Sequence, residues 1–312
     1  MRGSVVYQVQ QVFQTVNEIG SSKHEAKAEA RAGGAATWHQ VGKELGVYSY
    51  STADAYRDVW RACLDHAKQT AGIKDIEKLS GEAVRAFLVS KVDQGVAHAT
   101  FGQYAAGCEK LEVALNRYAE QHGTGREYAF SPSIQGARDV AVDLERFEGS
   151  RAYVNPDRLV AAVEKEQHNL AASIQREGGC RISEVNHITQ DQLRGLREDP
   201  RTGELKGWVY VEGKGGKERE VGVSPGTYAR LDVVVANGQR FEFDKDVYRA
   251  DLKEAAAKTG QNYEGSHGLR WSWAQERHQE LQQLGMTYDQ TLSQISAEMG
   301  HERGDITEHY LR

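Results

Sequence analysis

The residues of this chain best suited to chemistry are a tyrosine near the C-terminus and several basic side chains upstream of it. Gly300-His301 and Asp305-Ile306-Thr307-Glu308 precede Tyr310, and the second pattern predicts a capping box that starts a short helix. A tyrosine held beside a histidine can act as a nucleophile. Four basic residues upstream together suit an anion site: Arg181, Lys214, His267 and Arg270.

Arg181 follows two glycines, Gly178 and Gly179, which let the backbone turn tightly before a helix. This pattern predicts an arginine near a helix N-terminus, where anions bind well. Glu184 lies one turn further on and can hold the guanidinium in place. Taken alone, such a pair is more often structural than functional.

His267 and Arg270 begin another predicted helix and are three residues apart, so their side chains face the same way. Two donors on one face suit a phosphate, and an arginine offers it a planar, two-point fork. The His-x-x-Arg spacing by itself is a weak motif.

One clear β element interrupts the helical patterns of the second half. β-branched and aromatic residues predict strands over 208–211 and 219–223, joined by a glycine-rich turn. The turn is not a nucleotide-binding loop, because that motif requires Gly-Lys followed by Ser or Thr and then a helix, whereas Glu218 and a strand follow Lys217. It presents Lys214 and Lys217 at a flexible tip, and a merely solubilising role is the alternative interpretation.

Composition bounds the class of protein. The 312 residues suffice for two domains, and the 39% hydrophobic and 27% charged contents are ordinary for a globular protein. The net charge of −6 gives no support to a nucleic-acid partner, although it leaves room for a local basic surface. Three scattered cysteines indicate a reducing compartment, with no disulfide framework and no structural zinc. No apolar run could span a bilayer or serve as a secretory signal, so we expect a cytoplasmic protein.

The sequence pattern divides the chain into four parts. Residues 1–35 are polar and alanine-rich, which predicts a solvated helix or flexible arm; an arm that reaches DNA or a neighbouring protomer is the alternative. Apolar residues at three- and four-residue intervals predict an all-helical bundle over 36–125. Glycine, serine and proline mark a linker over 126–154, and a mainly helical domain with the β-hairpin follows over 155–312.

The order Arg, Glu, hairpin Lys, His-x-x-Arg, Gly-His and Tyr resembles that of the tyrosine recombinase (phage-type integrase) family, which includes Xer-type recombinases and integrases of mobile elements. The matching stretches are 179–184, 213–219, 267–270, 299–301 and Tyr310. The resemblance covers residues 155–312 and all six catalytic positions of the family: Arg181, Lys214, His267, Arg270, His301 and Tyr310. The bundle over 36–125 also resembles the family's core-binding domain. The implied fold class is mainly α with a small β-hairpin or sheet: an all-helical, DNA-binding N-terminal domain followed by an α+β catalytic domain.

The resemblance implies that Tyr310 attacks a scissile phosphate of double-stranded DNA and leaves a 3′-phosphotyrosine and a free 5′-hydroxyl. Arg181 and Arg270 would clamp the non-bridging oxygens and stabilise the charge that grows in the transition state. Lys214, which the family pattern favours over Lys217, would protonate the leaving 5′-oxygen.

His267 is then the base or proton relay, and His301 hydrogen-bonds the phosphate. Because the phosphotyrosine keeps the energy of the ester bond, rejoining requires neither a metal nor a cofactor. The implied protein is a site-specific recombinase or integrase that integrates or excises a mobile element and acts as a homo-tetramer on paired DNA sites.

Two features depart from the family pattern. Only Leu311 and Arg312 follow Tyr310, whereas many relatives carry a further segment that docks on a neighbouring protomer, so we expect a different mode of assembly or a missing tail. Cys180 stands where relatives often have a small or apolar residue. We expect it to be a packing residue, with a reactive thiol as the alternative.

Three other functions stay open at this point. A monomeric type IB topoisomerase would use the same residues to relax supercoils. A binding-only DNA architectural protein would keep the arginine clamp without requiring Tyr310. Metal-dependent hydrolysis by His267, His301 and His309 fits least, because no carboxylate shares their spacing.

Overall fold

The structure is a computed structural model that describes residues 1–213, 216–301 and 304–312. The chain forms two compact units, Met1–Glu148 and Gly149–Arg312. The first is all-helical and the second is mainly helical with one small sheet, which confirms the predicted fold class.

Seven α-helices build the N-terminal unit. They are α1 (Val5–Gln14), α2 (Lys23–Ala32), α3 (Trp38–Glu44), α4 (Tyr50–Ala71), α5 (Gly81–Asp93), α6 (His98–Gln121) and α7 (Ser131–Val140). Short 3-10 turns over Ile76–Lys78 and Ala141–Asp143 follow α4 and α7. The apolar stripes of α4, α5 and α6 meet in one core. Trp60 is fully buried there, and its indole Nε1 donates to the carbonyl of Gly107 at 2.7 Å.

The first helix differs from the solvated helix or flexible arm expected over residues 1–35, because one of its faces is buried. Val9, Val12 and Phe13 of α1 are buried, and α1 packs against α4 and α6. Glutamines separate these residues in the sequence, and the apolar positions recur at helical spacing, as expected for one buried helix face. Only α2 keeps the character expected of this region, because it has no buried residue.

Helix α7 belongs to the N-terminal unit, although the sequence placed a linker over 126–154. It packs against α5 and α6, and a buried carboxylate on α6 holds its start. Glu112 accepts hydrogen bonds from the backbone N–H groups of Phe130 and Ser131 and from the Ser131 hydroxyl. No side chain of α7 caps its own first turn, so Glu112 satisfies donors that the helix start leaves open.

The C-terminal unit contains eight α-helices and three strands among its described residues. The helices are α8 (Pro156–Ala161), α9 (Glu166–Gly178), α10 (Ile182–Val185), α11 (Pro225–Val235), α12 (Lys245–Thr259), α13 (Gly265–Gln283), α14 (Tyr288–Met299) and α15 (Gly304–Glu308). The strands are β1 (Leu193–Glu198), β2 (Leu205–Gly213) and β3 (Lys217–Val223). Further 3-10 turns cover Gln190–Gln192, Ala236–Gly238 and His309–Leu311.

The sheet is antiparallel in the order β1-β2-β3 and has one buried face. Val209 pairs with Val221, and these residues together with Val211 and Val223 point into the core. Helices α9 and α14 pack near β3, and α13 packs against α9 and α14. The edge strand β3 is thereby held next to the helices that carry the predicted site residues.

In the described part of the chain, no helix combines the length and the apolar character needed to cross a membrane.

We predict that Glu112→Ala destabilises the N-terminal unit by about 2–3 kcal/mol, because it leaves the buried N–H groups at the start of α7 without an acceptor. Urea unfolding of the full chain, followed by far-UV circular dichroism, measures this. Glu109→Ala is the matched control. It removes a partly exposed ion pair between the same two helices, to Arg138, and should cost less than about 1 kcal/mol. Equal losses in both variants would contradict the capping role of Glu112.

Candidate active site

Arg181 is positioned by a sharp turn between α9 and α10. Gly179 ends α9 with φ 61°, and a Cβ atom there would lie 2.5 Å from the ring of Trp273, so no other residue fits without strain. The turn makes Arg181 the residue that precedes α10. Its backbone N–H and its guanidinium both donate to the Glu184 carboxylate at 2.7 Å, and its side chain keeps 25% of its surface exposed.

Glu184 is the shared acceptor of the basic cluster, and its side chain has no exposed surface. Besides Arg181 it accepts from Arg219 Nη1 at 3.1 Å and Nη2 at 2.7 Å, and Arg270 Nη1 lies 3.8 Å away. Burial by itself raises the pKa of a carboxyl group. The hydrogen bonds and charge of Arg219, the backbone N–H of Arg181 and the charge of Arg270 outweigh burial and lower the pKa of Glu184 to about 2.

Arg270 is the most deeply buried charge of the cluster, with no exposed surface. Its guanidinium donates to the carbonyl of Gly179, to the carbonyl of Met299 at 2.7 Å and to His301 Nε2 at 3.1 Å. Its Nε–H has no hydrogen-bond partner among the described residues. Burial and the nearby Arg181 lower the pKa of Arg270 to about 10, so the group stays charged at neutral pH.

Tyr310 lies on the 3-10 turn that directly continues the short helix α15. Only 7% of the residue is exposed. Its hydroxyl is 2.8 Å from His267 Nε2, and its ring packs against Trp271 and over the guanidinium of Arg270. Gln275 donates to the Tyr310 carbonyl at 3.2 Å and ties this turn to α13.

His267 is a neutral imidazole at physiological pH. Burial, followed by the positive charges of Arg270, Arg181 and Arg151, lowers the pKa of His267 to about 4. A neutral ring nitrogen can accept the hydrogen of the Tyr310 hydroxyl. The pair therefore has the geometry and the protonation state of a nucleophile beside its base.

His301 completes the cluster, with its Nε2 3.1 Å from Arg270 Nη2. Its Nδ1 is 2.7 Å from Thr307 Oγ1, and its ring lies 5.5 Å from that of Tyr310. Burial and the charges of Arg270, Arg181, Arg219 and Lys217 lower the pKa of His301 to about 3.

The structure thus brings together five of the six residues predicted for the site: Arg181, His267, Arg270, His301 and Tyr310. The sixth, Lys214, lies outside the described residues. Its neighbour in the turn, Lys217, begins β3 and places Nζ 3.4 Å from the carbonyl of Gly300.

Arg219 is a further member of the cluster, at a position for which the sequence pattern predicted no role. It donates to Glu184 and, through Nε, to the carbonyl of Glu298 at 2.9 Å. The alternation of residues along β3 could have indicated that Arg219 points inward, because it shares a strand face with the buried Val221 and Val223. Three arginines now surround one carboxylate, so the cluster carries excess positive charge and fits an anion.

Cys180 is a packing residue in this structure. The thiol is fully buried, and burial raises its pKa to about 12 despite the nearby arginines. A protonated, inaccessible thiol is a poor nucleophile. Among the described residues, no group of three or more His, Cys, Asp or Glu side chains is placed to hold a metal ion.

No protein-family model matches the sequence, and no curated protein matches it significantly. Solved structures do resemble its fold. The XerH site-specific recombinase bound to a palindromic difH substrate in a post-cleavage complex has a TM-score of 0.61 and 14% identity, with 99% of this chain and 91% of that chain covered. The Tn1549 transposon integrase in complex with transposon right-end DNA has a TM-score of 0.56 and 12% identity, with 94% and 95% covered. The chain therefore has the tyrosine recombinase fold.

We predict that Glu184→Gln lowers the free energy of unfolding at pH 7 by about 3 kcal/mol, because it removes the charge that the surrounding arginines require. The folded pKa of Glu184 is depressed, so its contribution is present above the ordinary pKa of 4.5 and is lost as the pH falls toward about 2. The difference between wild type and variant in urea unfolding should shrink over this range. Glu212→Gln, an exposed change on the same hairpin, is the control and should cost less than about 0.5 kcal/mol.

A second prediction concerns the protonation of His267. In the free protein its ring should titrate with a midpoint near pH 4, well below the ordinary value of 6.5, because the folded protein favours the neutral form. Histidine ring resonances recorded by NMR over a pH series measure this, with His267→Gln providing the assignment. A midpoint near 6.5 would remove the argument that the ring is a proton acceptor at neutral pH.

Proposed function

We propose that this protein is a tyrosine recombinase, an enzyme that breaks and rejoins double-stranded DNA at specific sites through a 3′-phosphotyrosine intermediate. The observation that carries the proposal is the Tyr310 hydroxyl, 2.8 Å from a neutral His267 and beside a buried cluster of arginines. The fold supports it, since the XerH recombinase and Tn1549 integrase with this fold are each described in complex with DNA.

Tyr310 is the nucleophile in this proposal. Its oxygen forms a bond to the scissile phosphorus as its proton passes to His267 Nε2, and the bond from phosphorus to the 5′-oxygen breaks. Lys214 supplies the proton to the departing 5′-oxygen, a role that rests on the family resemblance alone. Reversal of the same step by the 5′-hydroxyl of a partner strand rejoins the DNA without cofactor or metal.

Arg181 and Arg270 hold the phosphate. Arg181 keeps part of its side chain exposed, and Arg270 retains an Nε–H without a partner among the described residues, so both can donate to an incoming anion. Glu184 and Arg219 keep the two guanidinium groups in place before substrate arrives. Donors arranged in advance around the developing charge lower the barrier because they need no reorganisation.

The ring of Tyr310 covers Arg270 in this structure. A phosphate that reaches the guanidinium therefore requires the Tyr310 side chain to move aside, whereas the hydrogen bonds that join His301, Thr307 and Ser296 stay in place. DNA binding would thus expose the clamp and free the nucleophile together.

We assign DNA binding to both units and the chemistry to the C-terminal unit. The helical N-terminal unit would grip the duplex and the enzyme would act as a homo-tetramer on paired sites, integrating or excising a mobile element. The net charge of −6 is compatible with this assignment, because affinity for phosphate depends on the local charge around Arg181 and Arg270.

We predict that Tyr310→Phe abolishes the covalent DNA adduct, by at least about 10³-fold, because the ring remains but the attacking oxygen is lost. A library of randomised, nicked DNA duplexes serves as the probe. Adducts that survive denaturation are captured and sequenced, and the enriched duplex is then used in gel assays of adduct formation and of binding. The variant should bind that duplex nearly as well as wild type.

Tyr288→Phe is the matched control, since it removes a partly exposed hydroxyl from the same unit and should leave adduct formation intact. Adducts formed by Tyr310→Phe would contradict the assignment of the nucleophile. Exchange between two plasmid copies of the enriched site is expected, and relaxation of one plasmid without exchange would favour a topoisomerase instead.

A further inference from the structure

His301 lies between two partners that restrict the position of its ring hydrogen. Arg270 Nη2 is 3.1 Å from Nε2, and Thr307 Oγ1 is 2.7 Å from Nδ1. A guanidinium can only donate hydrogen bonds, so Nε2 has to accept. In the neutral ring the hydrogen is then on Nδ1, and it is donated to the Thr307 hydroxyl oxygen.

The chain of hydrogen bonds continues beyond Thr307. Its hydroxyl is 2.7 Å from Ser296 Oγ on α14, which can accept the threonine hydrogen while the threonine oxygen accepts from His301. Thr307 is fully buried and Ser296 is nearly so. Breaking this chain in a buried place leaves polar groups without partners, which is costly.

The surroundings of His301 keep the ring neutral. Burial has the largest effect, and among the described residues the positive charges of Arg270, Arg181, Arg219 and Lys217 add to it. The centre of the Tyr310 ring lies 5.5 Å from the centre of the His301 ring. With the ring neutral, Arg270 requires the tautomer that carries its hydrogen on Nδ1, and Thr307 is the acceptor for that hydrogen.

We propose that Thr307 is a positioning residue that holds His301 in its Nδ1–H tautomer, so that Nε2 serves as an acceptor for Arg270. This inference rests on the proposed function, because it matters for catalysis only if Arg270 clamps the phosphate. Together with the carbonyls of Gly179 and Met299, His301 then sets the plane of the guanidinium. In this tautomer Nε2 has no hydrogen for the phosphate, so His301 acts through Arg270 rather than as the direct donor that the resemblance implied.

Thr307→Val tests the proposal, because valine keeps the shape and removes the hydroxyl. Nitrogen-15 NMR of histidine-labelled full-length protein reads the tautomer directly, with His301→Gln for assignment. Wild type should show a protonated Nδ1 and a bare Nε2. Thr307→Val should lose this pattern and form the adduct with the enriched duplex about 10- to 100-fold more slowly. Thr307→Ser, which keeps the hydroxyl, should restore the pattern and return the rate to within about threefold of wild type.

Thr291→Val is the matched control. Thr291 is also fully buried in this unit and its hydroxyl is 2.8 Å from another histidine, His278. Its loss should destabilise the protein similarly in thermal unfolding while leaving the His301 tautomer and the adduct rate unchanged. A similar loss of rate in Thr291→Val would mean that general destabilisation, and not the loss of the hydrogen bond between Thr307 and His301, slows the reaction.

The outcomes separate this inference from the proposed function. A protonated Nε2 on His301 in the wild type overturns the role of Thr307, and this result requires neither DNA nor a folded variant. An unchanged tautomer and rate in Thr307→Val overturn it as well. Failure of wild type to form an adduct with any duplex overturns the proposed function, while the tautomer measurement still decides what Thr307 does.

Discussion

The burial of the Arg270 charge is the constraint on which the rest of the site depends. Removing a guanidinium from water is expensive unless acceptors surround it. This protein provides carbonyls from two chain turns, a histidine nitrogen and, slightly further off, the Glu184 carboxylate. Each of the four acceptors fixes a part of the chain: the turn after α9, the end of α14, His301 just beyond it, and α10, which carries Glu184. Satisfying one charge therefore assembles the parts of the C-terminal unit that carry the predicted chemistry.

The same buried charge helps to set the protonation states around it. Burial, together with the positive potential of Arg270 and Arg181, keeps both His267 and His301 neutral. A neutral His267 can receive a proton from Tyr310, whereas an imidazolium could not. The arginines that would hold a phosphate thus also prepare the base, so the two roles cannot be tuned separately. Weakening the cluster charge would change both anion binding and proton transfer.

Helix α13 carries two buried arginines that show how partners decide the local potential. Arg277, two turns beyond Arg270, is paired with Asp199, Glu280 and Glu298, and these carboxylates raise its pKa. These carboxylates neutralise the charge of Arg277, so its role is structural: it links α13 to α14 and to the end of β1. Arg270 shares one carboxylate with two other arginines and otherwise contacts neutral groups. Only the second arrangement leaves positive charge for an anion, in a chain whose net charge is negative.

The sequence alone determined the local features: the helical faces of the N-terminal bundle, the hairpin, and the order and types of the site residues. These follow from short-range spacing, which periodicity and turn chemistry reveal. The tertiary structure decided the partners, because contacts between distant residues leave no local pattern. It placed α1 in a core, let Glu112 cap α7, paired Arg219 with Glu184 across 35 residues, and brought Thr307 to His301. Such contacts form when folding buries a polar group, because a buried polar group requires a hydrogen-bond partner, and that partner can lie anywhere in the sequence.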